Sequence, residues 1–233
     1  MALPILRRHG VPAVVFVATG YMDSHETYWY DRLVHWMLDA PDAELPMPDG
    51  APPLPVRGDE SQRRQAAYTA LKHLKRLPDT GRRETLERWR SAMGAPDHEE
   101  FGDAHGPMSW AQVKAMSDAG IEIGSHSVSH PVLANVTDDA QLDRELFDSK
   151  AQIESHTGRS VLSLAYPVGG PGAYSERVVD VARRAGYRFG FTYESGVIDP
   201  RHMDEFRLRR LAIERYISRE RFRALLAVPA LFA

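Results

Sequence analysis

The sequence contains no cysteine. Without thiols neither a disulfide framework nor a thiolate metal site can form, so a transition metal would have to be held by histidine and carboxylate. Charge of one sign is also missing. The 29 basic and 32 acidic residues leave a net charge of -3 and are interspersed along the chain, so no sequence-wide field draws in nucleic acid or an anionic membrane; nucleic acid is not an expected partner. No run approaches the roughly 20 consecutive apolar residues that span a bilayer, and the first residues show no basic segment followed by an apolar core and a small-residue cleavage site. We expect a soluble chain with no transmembrane segment and no signal peptide as written. The compartment stays open, because a cysteine-free chain suits the cytosol and the exterior equally.

What is present is enough for a core: 43% of 233 residues are hydrophobic, which fits one α/β domain over residues 1–233. Residues 3–9 followed by Gly10 read as a helix and its stop, and Pro12 leads into Ala13-Val14-Val15-Phe16-Val17, a buried strand of the kind covered on both faces in a parallel sheet. A helix that feeds a parallel strand should itself follow a strand, and none precedes this one. The expectation is a chain that lacks its first strand, with residues 13–17 on an open edge and a tendency to aggregate. Residues 41–59 are rich in proline and glycine and read as an exposed excursion. Helical spacing over 62–77 and 84–89 completes an expected insertion at 41–107. From Ser109 the pattern is regular. Ser109 and Gln112 form a capping box, Val113 and Met116 give an apolar stripe, and Gly120 stops the helix before a strand at 121–124. Thr137 is expected to cap a helix carrying Leu142, Leu146 and Ile153 and ending at Gly158, before a strand at 161–166. Ser175 opens a helix closed by Gly186, strands follow at 188–192 and 208–213, and Ser218 caps a last short helix. Strands alternating with helices predict a parallel α/β fold whose right-handed crossovers curl it towards a barrel. Periodicity does not separate a barrel from an open sheet.

Two segments could carry chemistry. In Gly124-Ser125-His126-Ser127-Val128-Ser129-His130-Pro131 two histidines lie four apart just beyond the end of a strand, where α/β folds place active sites. If the segment makes one helical turn, His126 and His130 project to one side and can share a metal ion, with serines leaving room and Gly124 allowing a tight turn. The plainer alternative is a pair of loop histidines engaged in hydrogen bonds. In Leu164-Ala165-Tyr166-Pro167-Val168-Gly169-Gly170 a strand exits through proline and glycine, which leaves backbone N–H groups available to an oxyanion. By itself this is an ordinary strand-to-loop exit.

Together the two segments resemble the polysaccharide deacetylase family, the deacetylases of carbohydrate esterase family four. A histidine-x-x-x-histidine after glycine-serine matches the family's second motif at His126 and His130, and alanine-tyrosine-proline-x-glycine matches a form of its third motif at Ala165 to Gly169. Residues 2–13 look like the family's first helix and second strand, and Ala119-Gly120 and Ala185-Gly186 like its recurrent alanine-glycine steps; the stretch between 13 and 109 is poorly covered. The resemblance implies a distorted (β/α) barrel, incomplete here for want of its first strand, and a hydrolase acting on carbon–nitrogen bonds other than peptide bonds. Such an enzyme removes N-acetyl groups from the amino sugars of a polysaccharide or oligosaccharide, with a divalent metal, usually zinc. It implies His126 and His130 as metal ligands, and Tyr166, Pro167, Val168 and Gly169 as the oxyanion and substrate loop, with the Val168 N–H as donor where the family usually has tyrosine. The family's aspartate-aspartate motif, which holds the base and the third ligand, is absent. Loss of a positioned base costs about 10² to 10⁴ in rate, so impaired activity is expected. Asp23, Asp31 and Asp204 read as solvated loop or helix-end residues, and His202 as a loop histidine in a charged segment. Ala165 stands where many members carry an arginine. A second class of function is a non-catalytic carbohydrate-binding remnant of the same fold, using Tyr28, Trp29, Tyr30 or Tyr174 as stacking platforms. A third, a partner-binding helical scaffold over 62–90, has only an amphipathic pattern behind it.

Overall fold

The computed structural model describes residues 2–24, 26–48, 50–96, 106–214 and 216–232; residues 97–105, part of the expected insertion, lie outside it. In chain order the elements are α1 (Ala2–His9), β1 (Val14–Val17), α2 (Trp29–Asp39), β2 (Ala43–Leu45), β3 (Leu54–Val56), α3 (Glu60–Leu74), α4 (Asp79–Ala92), α5 (Trp110–Asp118) and β4 (Glu122–Ser125). Then come α6 (Asp139–Asp143), a π-turn (Arg144–Asp148), α7 (Ser149–Thr157), β5 (Ser163–Ala165), α8 (Glu176–Arg184), β6 (Phe189–Phe191) and α9 (Arg219–Ala227). The described residues form two compact units: residues 1–20, 109–134 and 138–233, and residues 21–108 with 135–137.

The first unit is the α/β body. Its sheet is parallel, in the order β1-β4-β5-β6, so β1 is an edge strand among the described residues. Val14, Val15, Phe16 and Val17 face Glu122, Ile123, Gly124 and Ser125 in turn, which brings the ends of β1 and β4 level where the histidine segment begins. Helices α5 and α7 pack on β4. Their starts and stops follow local chemistry. Ser109 and Gln112 close a reciprocal capping box, and Gly120, Gly158 and Gly186 take the left-handed conformation at helix ends, where a Cβ would be penalised. The helical run 139–157 buries Leu142, Leu146 and Ile153 completely. Its cap is Asp138, whose carboxylate accepts from the Gln141 N–H at 2.6 Å, one residue later than the threonine expected; the carboxylate also complements the helix dipole. The expected strand at 208–213 shrinks to a single parallel bridge between Phe191 and Leu208. Beyond Leu208 the Arg210 N–H turns to the Glu194 carbonyl, so no ladder propagates.

The second unit holds the expected insertion and has its own core, in which Leu33, Trp36 and Met37 of α2 meet Leu45, Val56, Leu74 and Trp89. The excursion at 41–59 is not fully exposed, as the sequence had suggested. It forms the antiparallel ribbon β2-β3, pairing Leu45 with Leu54 and Ala43 with Val56, and Leu45 and Val56 are fully buried. Both strands of a two-stranded ribbon are edges, so Pro55 costs it no ladder donor. Helix α3 starts at a second capping box, Asp59 with Gln62.

Candidate metal centre

The parallel register of β1 and β4 continues past Ser125. The His126 N–H donates to the Val17 carbonyl at 2.8 Å, the Thr19 N–H to Ser127 at 3.1 Å and the Gly20 N–H to Val128 at 2.9 Å. The segment therefore runs on as a loop, not as the helical turn considered from spacing alone. Ser127 and His130 both adopt left-handed backbone, with φ of 66° and 56°. These two reversals do what a helical turn would have done: the His126 and His130 rings meet with centroids 4.7 Å apart at 83°. The serines are fasteners as well as small residues. The Ser127 hydroxyl accepts from the His130 N–H at 3.1 Å, the Ser125 hydroxyl accepts from the Ser127 N–H at 3.2 Å, and Ser125 Oγ lies 2.7 Å from Ser149 Oγ.

His126 is half-buried, and its Nδ1 lies 2.6 Å from the Ala165 carbonyl oxygen. A carbonyl only accepts, so Nδ1 carries the proton and the Nε2 lone pair is left for a ligand. Burial lowers the imidazole pKa from 6.5 to about 4, opposed by the Ala165 hydrogen bond and reinforced by the Arg210 charge. The folded ring thus stays neutral at physiological pH, as metal ligation requires. A pH dependence follows for the metal-free chain. Above pH 6.5 the ring is neutral folded and unfolded, and its contribution is complete. As pH falls from 6.5 towards 4 the unfolded chain takes up a proton that the folded chain excludes. Roughly 2 kcal/mol of stability should vanish between pH 7.5 and 5. Urea midpoints at the two pH values, for the parent and His126→Gln, would measure this; an equal pH slope in both chains would contradict it.

The β5 terminus that holds His126 also launches the second motif. Tyr166 is buried, its hydroxyl donates to the Phe206 carbonyl at 3.0 Å, and its ring stacks on Tyr174 at 4.6 Å; burial raises its pKa. The side chain is thus a wedge inside the fold, and only its backbone belongs to the loop. Pro167 is buried too. Val168 and Gly169 are left-handed, at 64° and 63°, which strains a β-branched residue. Gly169 has no alternative, since a Cβ there would stand 2.7 Å from the Tyr193 nitrogen. The Gly169 N–H donates to Pro167, and its carbonyl accepts from Tyr193. Among the described residues the Val168 N–H makes no hydrogen bond.

The remaining candidates lie elsewhere. Asp204 accepts from the Phe206 N–H and pairs with Arg207, His202 is exposed and pairs with Asp199, and Asp23 and Asp31 belong to the second unit. Among the described residues no group of three histidines or carboxylates that could hold a metal ion is formed. Two residues near the pair went unnoticed in the sequence. Arg210 donates from Nε to the Thr192 carbonyl at 2.7 Å, with its guanidinium over the Phe16 and Tyr193 rings. Glu145, buried in the π-turn, accepts hydrogen bonds from the histidine loop. Neither carries a local sequence signal, because its partners are remote in the chain.

A family model described as polysaccharide deacetylase matches residues 1–190. The chain belongs to the polysaccharide deacetylase family. Among curated proteins it is 34% identical over 85 residues to "Putative polysaccharide deacetylase YxkH" of Bacillus subtilis (strain 168), a match covering 36% of this chain and 29% of that protein. The chain therefore spans less than a third of that relative's length. Among solved structures it resembles IcaB from Ammonifex degensii, with a TM-score of 0.51 and 15% identity over 92% of this chain and 61% of that one. It also resembles the BpsB deacetylase domain from Bordetella bronchiseptica, with a TM-score of 0.50 and 18% identity over 90% and 64%. At such identities these two likenesses show the fold, an α/β body with a mostly parallel sheet. No helix among the described residues is long and apolar enough to cross a membrane.

Gly124, just ahead of the histidine loop, has a role other than the tight turn expected of it. It lies inside β4, and a Cβ there would stand 2.5 Å from two carbons of the Phe16 ring and 3.1 Å from the Ser163 carbonyl. Phe16 is itself packed on Phe191, with ring centroids 5.4 Å apart. Gly124→Ala should therefore cost about 1–3 kcal/mol through overpacking, read as a lowered urea midpoint. An unchanged midpoint would show that the ring moves freely.

Proposed function

We propose that this chain forms part of a metal-dependent hydrolase that removes N-acetyl groups from the amino sugars of a polysaccharide or oligosaccharide. The observation that carries the reading is the imidazole pair, with ring centroids 4.7 Å apart and the His126 tautomer fixed by the Ala165 carbonyl. The donor set suits a borderline ion such as zinc: two imidazoles, that of His126 neutral and oriented by a backbone acceptor that also raises its basicity. His126 and His130 would hold the ion, which when bound supplies Lewis acidity to the acetamide carbonyl and to a water. The Val168 N–H would donate to the carbonyl oxygen as charge develops there, and its strained backbone keeps that donor out of any ladder. The pair is one protein ligand short of the usual catalytic set of three. Among the described residues no third histidine or carboxylate joins the pair in a metal-holding group. Since a positioned base contributes about 10² to 10⁴, acetate release by these residues alone should be slower by about that factor.

A second reading is a carbohydrate-binding chain without chemistry, in which the two imidazoles, with no third metal-holding partner among the described residues, take no part in a reaction. Its proposed platforms are largely occupied. Trp29 is 2% exposed, Tyr28 and Tyr30 stack on each other with centroids 5.3 Å apart, and one face of Tyr174 is covered by Tyr166. The test is titration of the metal-free chain with zinc and cobalt(II), together with acetate release from N-acetylglucosamine oligomers. Metal binding lost in His126→Ala, with slow acetate release, supports the hydrolase; oligosaccharide binding with neither supports the second reading.

A further inference from the structure

We infer that Glu145 is a positioning residue for the imidazole pair, its buried carboxylate clamping the loop segment between the two histidines. Glu145 is 6% exposed. Its Oε2 accepts from the N–H groups of Val128 and Ser129, both at 2.9 Å, and its Oε1 accepts from the Ser129 hydroxyl at 2.6 Å. Among the described residues no basic side chain forms an ion pair with it. A buried carboxylate without a counter-cation is costly unless donors converge on it, and here all three donors come from the two residues that lie between the reversals at Ser127 and His130. The clamp therefore acts on the part of the chain that holds two left-handed residues in place. Its own backbone is suited to the task. Glu145 lies in the π-turn Arg144–Asp148, whose wider winding shifts the register of the following helix, and Ser149 at the start of α7 then reaches Ser125 Oγ at 2.7 Å. One irregular turn thus fastens the end of β4 through Ser149 and the histidine loop through Glu145. π-turns are enriched at functional sites.

The functional consequence rests on the reading that the pair holds a metal ion, but the distance between the rings can be followed without one. The test compares Glu145→Ala and Glu145→Gln in the full chain. Circular dichroism and melting establish folding, proton Overhauser contacts between the two imidazoles are read without metal, and cobalt(II) is then titrated in. The expected result is a folded alanine variant that loses the inter-ring contacts and binds cobalt(II) ~10–100-fold more weakly, the size of effect seen when ligand-orienting partners are removed. The glutamine variant, whose amide oxygen still accepts from the two backbone N–H groups, should stay within about 3-fold of the parent. If the alanine variant does not fold, Glu145→Asp, one methylene too short to reach both N–H groups, should show the same losses. Retention of inter-ring contacts in a folded alanine or aspartate variant would overturn the role, whether or not cobalt binds. A parent chain that binds no cobalt, while the alanine variant still loses the contacts, would sink the metal reading and support the positioning role.

Discussion

Replacing His126 by alanine is expected to remove measurable divalent-metal binding from this chain while leaving its fold nearly as stable as before at neutral pH. Removing a partner that merely orients a ligand weakens a metal site by about 10–100-fold, and here one of two imidazoles would go, so at least ~100-fold is expected. The structural loss is smaller. The Ala165 carbonyl would lose its 2.6 Å donor, worth about 1 kcal/mol, and the half-buried site leaves room for water to replace it. Below pH 6 even this loss should shrink, because the variant no longer carries a ring whose protonation the folded state resists. Cobalt(II) absorption titrations paired with urea melts separate the two effects. A variant that binds cobalt as tightly as the parent would place the metal elsewhere, and a variant that fails to fold would make His126 structural in the first place.

The parts of this site that were legible in the sequence are those written in local chemistry. The caps at Ser109, Ser175 and Ser218 and the stops at Gly120, Gly158 and Gly186 concern neighbours in the chain, and all six stand where the sequence put them. The two histidines four apart were legible as a pair, but the way they meet was not. Spacing alone suggested a helical turn, whereas the left-handed backbone at Ser127 and His130 depends on Glu145, which is 15 residues beyond His130 in the chain and one π-turn out of register. Gly124 illustrates the same limit. A glycine at the end of a strand reads as a turn, and only the register of β1 with β4 shows that a phenylalanine ring from a strand over 100 residues earlier needs the space. The segment at 208–213 failed in the opposite sense. It has the composition of a strand, but pairing takes a partner in reach, and after Leu208 the Arg210 N–H is taken by Glu194. The ribbon β2-β3 escaped because proline content speaks against long strands and says little about three-residue ones whose burial comes from another part of the chain.

That ribbon makes Trp89→Ala the substitution with the largest expected effect on stability. Trp89 on α4 is fully buried, and its indole N–H donates to the Pro46 carbonyl at 2.8 Å, just after β2. Truncation would open a cavity of most of an indole among Leu45, Val56, Leu74 and their neighbours, and aromatic-to-alanine changes in cores cost about 3–5 kcal/mol. Domain stabilities are about 5–15 kcal/mol in all, so this is a large fraction. A two-stranded ribbon is marginal by itself, and β2-β3 is held by what packs on it, so its amides should lose their exchange protection before those of α2. Trp89→Phe separates the contributions: it keeps most of the ring and gives up the bond to Pro46, for a cost nearer 1 kcal/mol in hydrogen bonding plus a smaller cavity. The site residues His126, Ala165 and Glu145 belong to the other unit, with a core of its own, so their amide signals should be unchanged in the folded fraction of either variant. A Trp89→Ala chain that loses less than about 1 kcal/mol would mean that the second core collapses to fill the space, and that the ribbon is anchored by Leu45 and Val56 alone.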